Sequence, residues 1–165
     1  MMIQIGDPAP DFTLTTLTAE GPDHVTLSDH FGKTTTLLLF VPMAFTSVCT
    51  GEFCQLSKEL NEYSELKTAV YGISGDNPFA QQAWAKQEGI LLTLLSDYDH
   101  RVAEAYGVAY ETFLPKLKLC MGGVPKRSAF VVDQQGKVQY AEVLDDPSQL
   151  PNFEKIKAKL GELSP

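Results

Sequence analysis

The chain of 165 residues has few cysteines and no long apolar run. Its three cysteines are too few, and odd in number, for the disulfide framework of a secreted domain, so we expect a reducing, cytoplasmic location. No stretch approaches the roughly 18 apolar residues of a transmembrane helix, so we expect no membrane partner. The first residues lack a basic segment followed by an apolar one, and we therefore expect no signal peptide.

Positive charge is also scarce. The chain has 13 lysines and arginines against 21 aspartates and glutamates, which gives a net charge of -8. Because nucleic acids attract proteins with a positive field, we expect no nucleic-acid partner. Residues 115–127 contain no acid, and we expect Lys116, Lys118 and Lys126 to lie in a solvated basic loop.

Motifs for cofactors are missing as well. The sequence has no glycine-rich phosphate loop and no Rossmann fingerprint, so we expect no flavin, haem or nucleotide cofactor. The histidines, His24, His30 and His100, are scattered without the paired spacing of metal ligands. A metal site that joins one of them to the cysteines is therefore disfavoured, and we expect no metal.

The segments that are present alternate between strand and helix patterns. The predicted strands are 12–14, 25–27, 35–41, 69–74, 91–95, 129–132 and 138–143, and the predicted helices are 47–66, 77–89, a short helix that Asp99 caps and that ends at Gly107, and 153–163. Alternation implies parallel strands with helices on both faces, and the closing hairpin around 133–136 adds an antiparallel pair. We predict one α/β domain over 1–165, a three-layer α/β/α sandwich with a mixed central sheet.

Cys49 occupies the most informative position of the chain. The buried strand stops at Pro42 and the next helix begins near residue 47, so Cys49 falls in the first helical turn. Unpaired N–H groups and the helix dipole favour a thiolate there, and the thiolate is the nucleophilic form. Thr46 lies one turn earlier and can direct its hydroxyl into the same space. Alternatively Thr46 is only the helix N-cap, although Ser47 could take that place instead. Pro42 has no N–H and shields the pocket from water.

These residues resemble a known family. Pro42-x-x-x-Thr46-x-x-Cys49 is similar to the active-site motif of the peroxiredoxins. Residues 6–12, 95–97, 105–108 and 127–133 resemble further segments of that family. Residues 44–46 and 51–52 are most similar to its alkyl-hydroperoxidase-E branch, whereas Cys54 resembles its bacterioferritin-comigratory-protein branch.

The resemblance implies a thioredoxin fold and a thiol-dependent peroxidase that reduces hydrogen peroxide and organic hydroperoxides. It implies that Cys49 is the peroxidatic cysteine and that Thr46, Pro42 and Arg127 complete the site, with the Arg127 guanidinium favouring the thiolate. Glu52 either orients Arg127 or is only a glutamate favoured by the helix dipole. The family also implies a thioredoxin- or glutaredoxin-like reductant, a homodimer and an antioxidant role in cell redox homeostasis.

The sulfenic acid formed on Cys49 must be resolved by a second thiol. Cys54 is the first candidate, yet five residues on a helix mean a rise of about 7.5 Å and a rotation of about 140°. A disulfide needs Cα atoms within about 7 Å, so the helix must unwind over 47–56 before the two can bond. Alternatively Cys54 is only a small buried residue. Cys120, in the basic loop, is either another resolving thiol or an ordinary loop cysteine.

Two other functions fit parts of this pattern. A thioredoxin-type thiol–disulfide oxidoreductase shares the strand–cysteine–helix layout, but such enzymes use C-x-x-C spacing, whereas Cys49 and Cys54 are separated by four residues. A redox sensor that is oxidised at Cys49 and read by a partner remains open as an additional role.

Overall fold

Seven strands form one mixed sheet within residues 2–164, the part of the chain that the computed structural model describes. The strands are β1 Thr13–Thr18, β2 Gly21–Thr26, β3 Thr35–Phe40, β4 Thr68–Ser74, β5 Thr93–Ser96, β6 Ser128–Val132 and β7 Val138–Val143, in the order β2-β1-β5-β4-β3-β6-β7. β3 pairs with β4, and β4 with β5, in parallel, while the other pairs are antiparallel. The predicted mixed sheet is confirmed. Met1 and Pro165, the ends of the predicted domain, lie outside the described residues.

Helices cover both faces of this sheet. They are α1 Ser47–Lys58, α2 Leu60–Glu65, α3 Pro78–Glu88, α4 Arg101–Ala105 and α5 Phe153–Leu163, with 3-10 turns at Leu27–His30 and Pro115–Leu117. Within residues 2–164, none of them combines the length and the hydropathy that a membrane crossing requires.

The fully buried strand β3 divides the core into two layers. Side chains of a strand alternate between faces, so Leu37 and Leu39 belong to one apolar cluster and Leu38 and Phe40 to the other. The first cluster includes residues of α1, α2, α3 and α5, and the second includes residues of α4 and the N-terminal segment. The predicted three-layer arrangement is therefore confirmed.

A glycine in β4 allows α1 to lie close to the sheet. A Cβ atom at Gly72 would lie 2.5 Å from Cε2 of Phe53, an α1 residue with a fully buried ring. Real Cβ atoms do not approach other atoms that closely, so the missing side chain of Gly72 provides the space for Phe53. This contact fixes the helix that carries Cys49 against the centre of the sheet.

The prediction of one helix over 47–66 is wrong. The helix is interrupted at Glu59 (φ -107°, ψ 5°), and α2 begins at the next residue. The Ser57 hydroxyl donates to the Phe53 carbonyl at 2.7 Å, a bond that bends helices. The apolar spacing hides the break because Tyr63 of α2 packs into the same cluster as Phe53.

The predicted cap of α4 and the predicted start of β5 also need correction. Asp97 accepts hydrogen bonds from the backbone N–H groups of Val102 (3.1 Å) and Ala103 (2.9 Å), whereas Asp99 accepts only a longer bond, of 3.4 Å, from the N–H of Arg101. Asp97 is fully buried at the end of β5, so its carboxylate reaches the unpaired first turn of the helix. β5 begins at Thr93 rather than at 91, because the Leu91 N–H donates to the Ser57 hydroxyl instead of to the sheet.

Candidate active site

The pairing of β3 with β6 brings two distant segments together. In this antiparallel pair Phe40 lies opposite Ser128, so the end of β3 adjoins the start of β6. The chain leaves β3 through Pro42 toward α1, and Arg127 directly precedes β6. As a result Arg127 meets Cys49, although 78 positions separate them in the sequence.

Arg127 donates hydrogen bonds to three groups at once. Its Nη2 lies 3.2 Å from Sγ of Cys49, and its Nη1 lies 2.8 Å from Oε1 of Glu52. Nε and Nη2 also donate to the Pro147 carbonyl, at 3.3 and 3.0 Å. Cys49, Glu52 and Arg127 are each at most 2% exposed, so little water competes for these bonds. The guanidinium is thereby held in one orientation against the sulfur.

The buried guanidinium of Arg127 contacts two acidic groups, the Cys49 sulfur and the Glu52 carboxyl. Burial lowers the pKa of Arg127, but the charges of Cys49 and Glu52 raise it by more, so the guanidinium stays protonated. Burial raises the pKa of Glu52 to about 7 although Arg127 pulls it down, and Oε2 of Glu52 has no hydrogen-bond partner among the described residues. A protonated Glu52 leaves the charge of Arg127 available to a Cys49 thiolate.

Glu52→Gln is expected to remove a pH dependence of stability. Because the pKa of Glu52 is about 7 in the folded state against an ordinary 4.5, folding favours the protonated form. This stabilisation is complete below the ordinary value and is lost as the pH rises through the folded value. In urea titrations the free energy of unfolding of the wild type, relative to Glu52→Gln, should fall between pH 4.5 and 7. The exposed control Glu154→Gln should show no such trend, and a constant difference for Glu52→Gln would contradict the assignment.

Thr46 and Pro42 line the same cleft as Cys49 and Arg127. Thr46 holds the N-cap position of α1, but its hydroxyl makes no capping bond and instead donates to the Met43 carbonyl at 2.8 Å. Since its hydrogen is used there, the Thr46 oxygen can only accept a bond from a further group. Pro42 is buried beside it.

A cleft of about 300 Å³ opens onto these residues. Its lining includes Pro42, Thr46, Cys49 and Arg127, and Phe113, Leu114, Leu117 and Leu119 form an apolar wall of the cleft. Neither this wall nor the Pro147 carbonyl was predicted from the sequence. A backbone carbonyl leaves no side-chain signal. Leu117 and Leu119 lie in the segment 115–127, which the sequence predicts only as a basic loop, and Phe113 and Leu114 lie just before it.

The other two cysteines, Cys54 and Cys120, differ in burial and in hydrogen-bond partner. Cys54 is half-buried within the continuous helix α1, and its S–H donates to the Glu88 carbonyl at 3.3 Å. Cys120 is exposed, with its S–H directed at the Lys118 carbonyl at 3.7 Å. All three cysteines are free thiols in this structure. The intact helix agrees with the expectation that Cys49 and Cys54 cannot bond without unwinding.

The scattered histidines do not assemble a metal site. His30 bonds through Nε2 to the Tyr71 hydroxyl at 2.7 Å and through Nδ1 to Thr34 at 3.0 Å. Across residues 2–164, no group of three or more His, Cys, Asp or Glu side chains is arranged to hold a metal ion.

Comparison with known proteins identifies the family of this chain. Residues 5–141 match the AhpC/TSA family. The chain is 37% identical over 144 residues to alkyl hydroperoxide reductase E of Mycobacterium tuberculosis, covering 86% of each chain. It is 36% identical over 155 residues to the thiol peroxidase of Bacillus subtilis, covering 93% of this chain and 84% of that protein.

Solved structures of known peroxiredoxins share the fold of this chain. Peroxidoxin BcpB from Mycobacterium tuberculosis superimposes with a TM-score of 0.79 at 28% identity, covering 98% of both chains. The reduced 2-Cys peroxiredoxin of Plasmodium vivax superimposes with a TM-score of 0.80 at 27% identity, covering 94% of this chain and 79% of that one. The predicted thioredoxin fold is confirmed. The chain belongs to the AhpC/TSA family of peroxiredoxins, and its activity is the thiol-dependent reduction of hydroperoxides.

Proposed function

We propose that Cys49 is the nucleophile of this peroxidase. Its thiolate attacks the outer oxygen of a hydroperoxide, the O–O bond breaks, and the departing alkoxide or hydroxide takes up a proton as alcohol or water. The sulfur becomes a sulfenic acid, so it is oxidised by two electrons while the peroxide is reduced by two.

The contact of 3.2 Å between Nη2 of Arg127 and Sγ of Cys49 carries this proposal. A cation held beside the sulfur favours the thiolate, and negative charge then moves from the sulfur to the leaving oxygen. A planar guanidinium can direct donors at both atoms. Glu52 and the Pro147 carbonyl act as positioning groups, because they bind Arg127 and not the reacting atoms.

Thr46 and Pro42 complete the binding site for the peroxide. The Thr46 oxygen, which can only accept, suits the O–H of a hydroperoxide and not an anionic oxygen. Buried Pro42 contributes no N–H that would hold water at the site. The apolar wall of the cleft can contact the organic group of an alkyl hydroperoxide. Organic hydroperoxides are therefore substrates in addition to hydrogen peroxide.

Cys54 is the resolving thiol in this scheme. After α1 loosens, Cys54 attacks the sulfenic sulfur, a disulfide forms and water leaves. A thioredoxin- or glutaredoxin-like dithiol protein then reduces the disulfide to complete the cycle. A homodimer, which the family implies, accompanies this proposal as a prediction. So do a cytoplasmic location, predicted from the low cysteine count, and a single domain over 1–165, predicted from the sequence pattern.

Mass spectrometry of the protein after one equivalent of hydrogen peroxide tests the scheme. We expect a Cys49–Cys54 disulfide in the wild type and a dimedone-reactive sulfenic acid at Cys49 in Cys54→Ser. Cys120→Ser is the matched control and should give the wild-type disulfide. A stable sulfenic or sulfinic acid at Cys49 in the wild type, with Cys54 still free, would replace the two-cysteine scheme by resolution through an external thiol.

A further inference from the structure

Three hydrogen bonds join one face of α1 to the end of α3 and the turn that follows it. Trp84 donates from Nε1 to Oγ1 of Thr50 at 2.9 Å, Cys54 donates to the Glu88 carbonyl at 3.3 Å, and Leu91 donates to the Ser57 hydroxyl at 2.8 Å. Thr50, Cys54 and Ser57 are spaced four and three residues apart and therefore lie on one side of the helix.

Trp84 holds the turn of α1 that contains Cys49. Its indole is fully buried, and its ring centroid lies 5.6 Å from that of Phe53 and 6.5 Å from that of Phe45. It therefore packs against residues on both sides of Cys49 in the sequence. Nε1 is the only polar atom of the indole, and Thr50, the residue after Cys49, supplies its acceptor. We call this hydrogen bond the indole contact.

The indole contact exists only while α1 is wound. Unwinding the segment between Cys49 and Cys54 moves Thr50 away from Trp84 and leaves a buried N–H without its acceptor, which opposes the opening. The bond between Leu91 and Ser57 lies beyond Cys54 and need not break. Resolution must therefore release the indole contact and the bond from Cys54 to Glu88, in addition to the bonds that Arg127 makes with Cys49 and Glu52.

We infer that Trp84 is a positioning residue that sets how the Cys49 sulfenic acid is divided between two products, the disulfide with Cys54 and the sulfinic acid. This inference rests on the proposed roles of Cys49 and Cys54. In the unwound state, the Cys54 thiol condenses with the sulfenic acid to give a disulfide and water. In the wound state, the sulfenic acid is held in the site and reduces a second hydroperoxide, becoming sulfinic acid while the peroxide becomes an alcohol or water. A stronger indole contact favours the sulfinic acid.

Thr50→Val tests this division because it keeps the shape of the side chain and removes the acceptor. We expect the rate of disulfide formation, followed by stopped flow, to rise by about two- to tenfold, the range of one net hydrogen bond. The peroxide concentration that converts half of Cys49 to sulfinic acid, read by mass spectrometry, should rise by a similar factor. Thr50→Ser keeps a hydroxyl and should behave as the wild type.

Tyr106→Phe is the matched control. It removes one hydrogen bond of a buried aromatic side chain, from the Tyr106 hydroxyl to the Pro10 carbonyl at 2.8 Å, in the other apolar cluster. It should lower the global stability without changing the division of products. An equal shift in Tyr106→Phe, or an unchanged division in Thr50→Val, would overturn the inference. If Thr50→Val does not fold, Trp84→Phe removes the donor instead and should shift the products in the same direction.

Hydrogen exchange separates this inference from the proposed function. In the reduced protein, Thr50→Val should speed exchange of the backbone amides between residues 50 and 54, a measurement that needs no disulfide. Absence of a Cys49–Cys54 disulfide in the wild type would refute resolution by Cys54, whereas unchanged amide exchange in Thr50→Val would refute the role of Trp84.

Discussion

Cys49→Ser is expected to abolish peroxide reduction. A serine hydroxyl is not ionised at neutral pH and is a weak nucleophile without an adjacent base, and the side chain that contacts this position is the protonated guanidinium of Arg127. With excess thiol reductant, turnover of hydrogen peroxide should fall to the background rate of the reductant alone. The side chains differ by one atom, so the variant should keep the fold, as circular dichroism and thermal unfolding can show.

The other two cysteines provide controls for that experiment. Cys120→Ser should keep the activity of the wild type, because Cys120 is exposed and does not line the cleft. Cys54→Ser should still consume about one equivalent of peroxide in a single turnover, since the first step needs Cys49 alone. Peroxide consumption by Cys49→Ser at the rate of the wild type would place the nucleophile elsewhere and refute the mechanism.

Arg127→Gln should have the second-largest effect on activity. It removes the positive charge that lies 3.2 Å from the sulfur. Loss of one fixed donor at a site of developing charge lowers rates by about 100- to 1,000-fold in well-studied enzymes. We expect a loss of that size in the second-order rate constant for peroxide. A loss below tenfold would contradict the role of Arg127.

Arg127→Lys separates charge from geometry at the same position. Lysine keeps the positive charge, but its donors share one nitrogen, so they cannot reach Cys49, Glu52 and Pro147 in the way the guanidinium does. We therefore expect a rate between those of Arg127→Gln and the wild type. A rate equal to that of the wild type would mean that charge alone suffices.

Arg127→Gln also changes stability, and this effect can be separated from catalysis. Removing one partner of a buried ion pair leaves the other charge uncompensated, at a cost of about 3–5 kcal/mol. The raised pKa of Glu52 (about 7) allows that carboxyl to take up a proton, so the loss should be smaller at pH 5 than at pH 8. The double variant Arg127→Gln/Glu52→Gln should recover stability at pH 8 without recovering activity. Recovery of both would show that Arg127 supports only the fold.

The comparisons decide between the functions that the sequence leaves open. The relatives of this chain include an alkyl hydroperoxide reductase and a thiol peroxidase, and the chain belongs to the AhpC/TSA family, which disfavours the thioredoxin-type oxidoreductase. That alternative already lacked the C-x-x-C spacing at Cys49. A sensor function is compatible with peroxidase activity, because the unwinding of α1 that we propose for resolution by Cys54 would be a shape change that a partner can bind.

Local residue order predicted the elements that depend on neighbours in the chain. The apolar run of β3, its end at Pro42 and the start of α1 near residue 47 follow from residues a few positions apart, and these place Cys49 in a first helical turn. The prediction from sequence was wrong where a contact with a residue distant in the chain changed the start or end of an element. Ser57 and Leu91 illustrate this, since their hydrogen bond removes residue 91 from the predicted strand.

By itself, then, the sequence determined a cysteine at the start of a helix behind a buried strand, with Thr46 one turn before it. The family resemblance predicted Arg127 as a site residue, but only the tertiary structure decided that its guanidinium lies beside that sulfur and is bound also to Glu52 and the Pro147 carbonyl. The physical reason is the register of β3 against β6. Pairing of Phe40 with Ser128 joins segments that no local pattern connects.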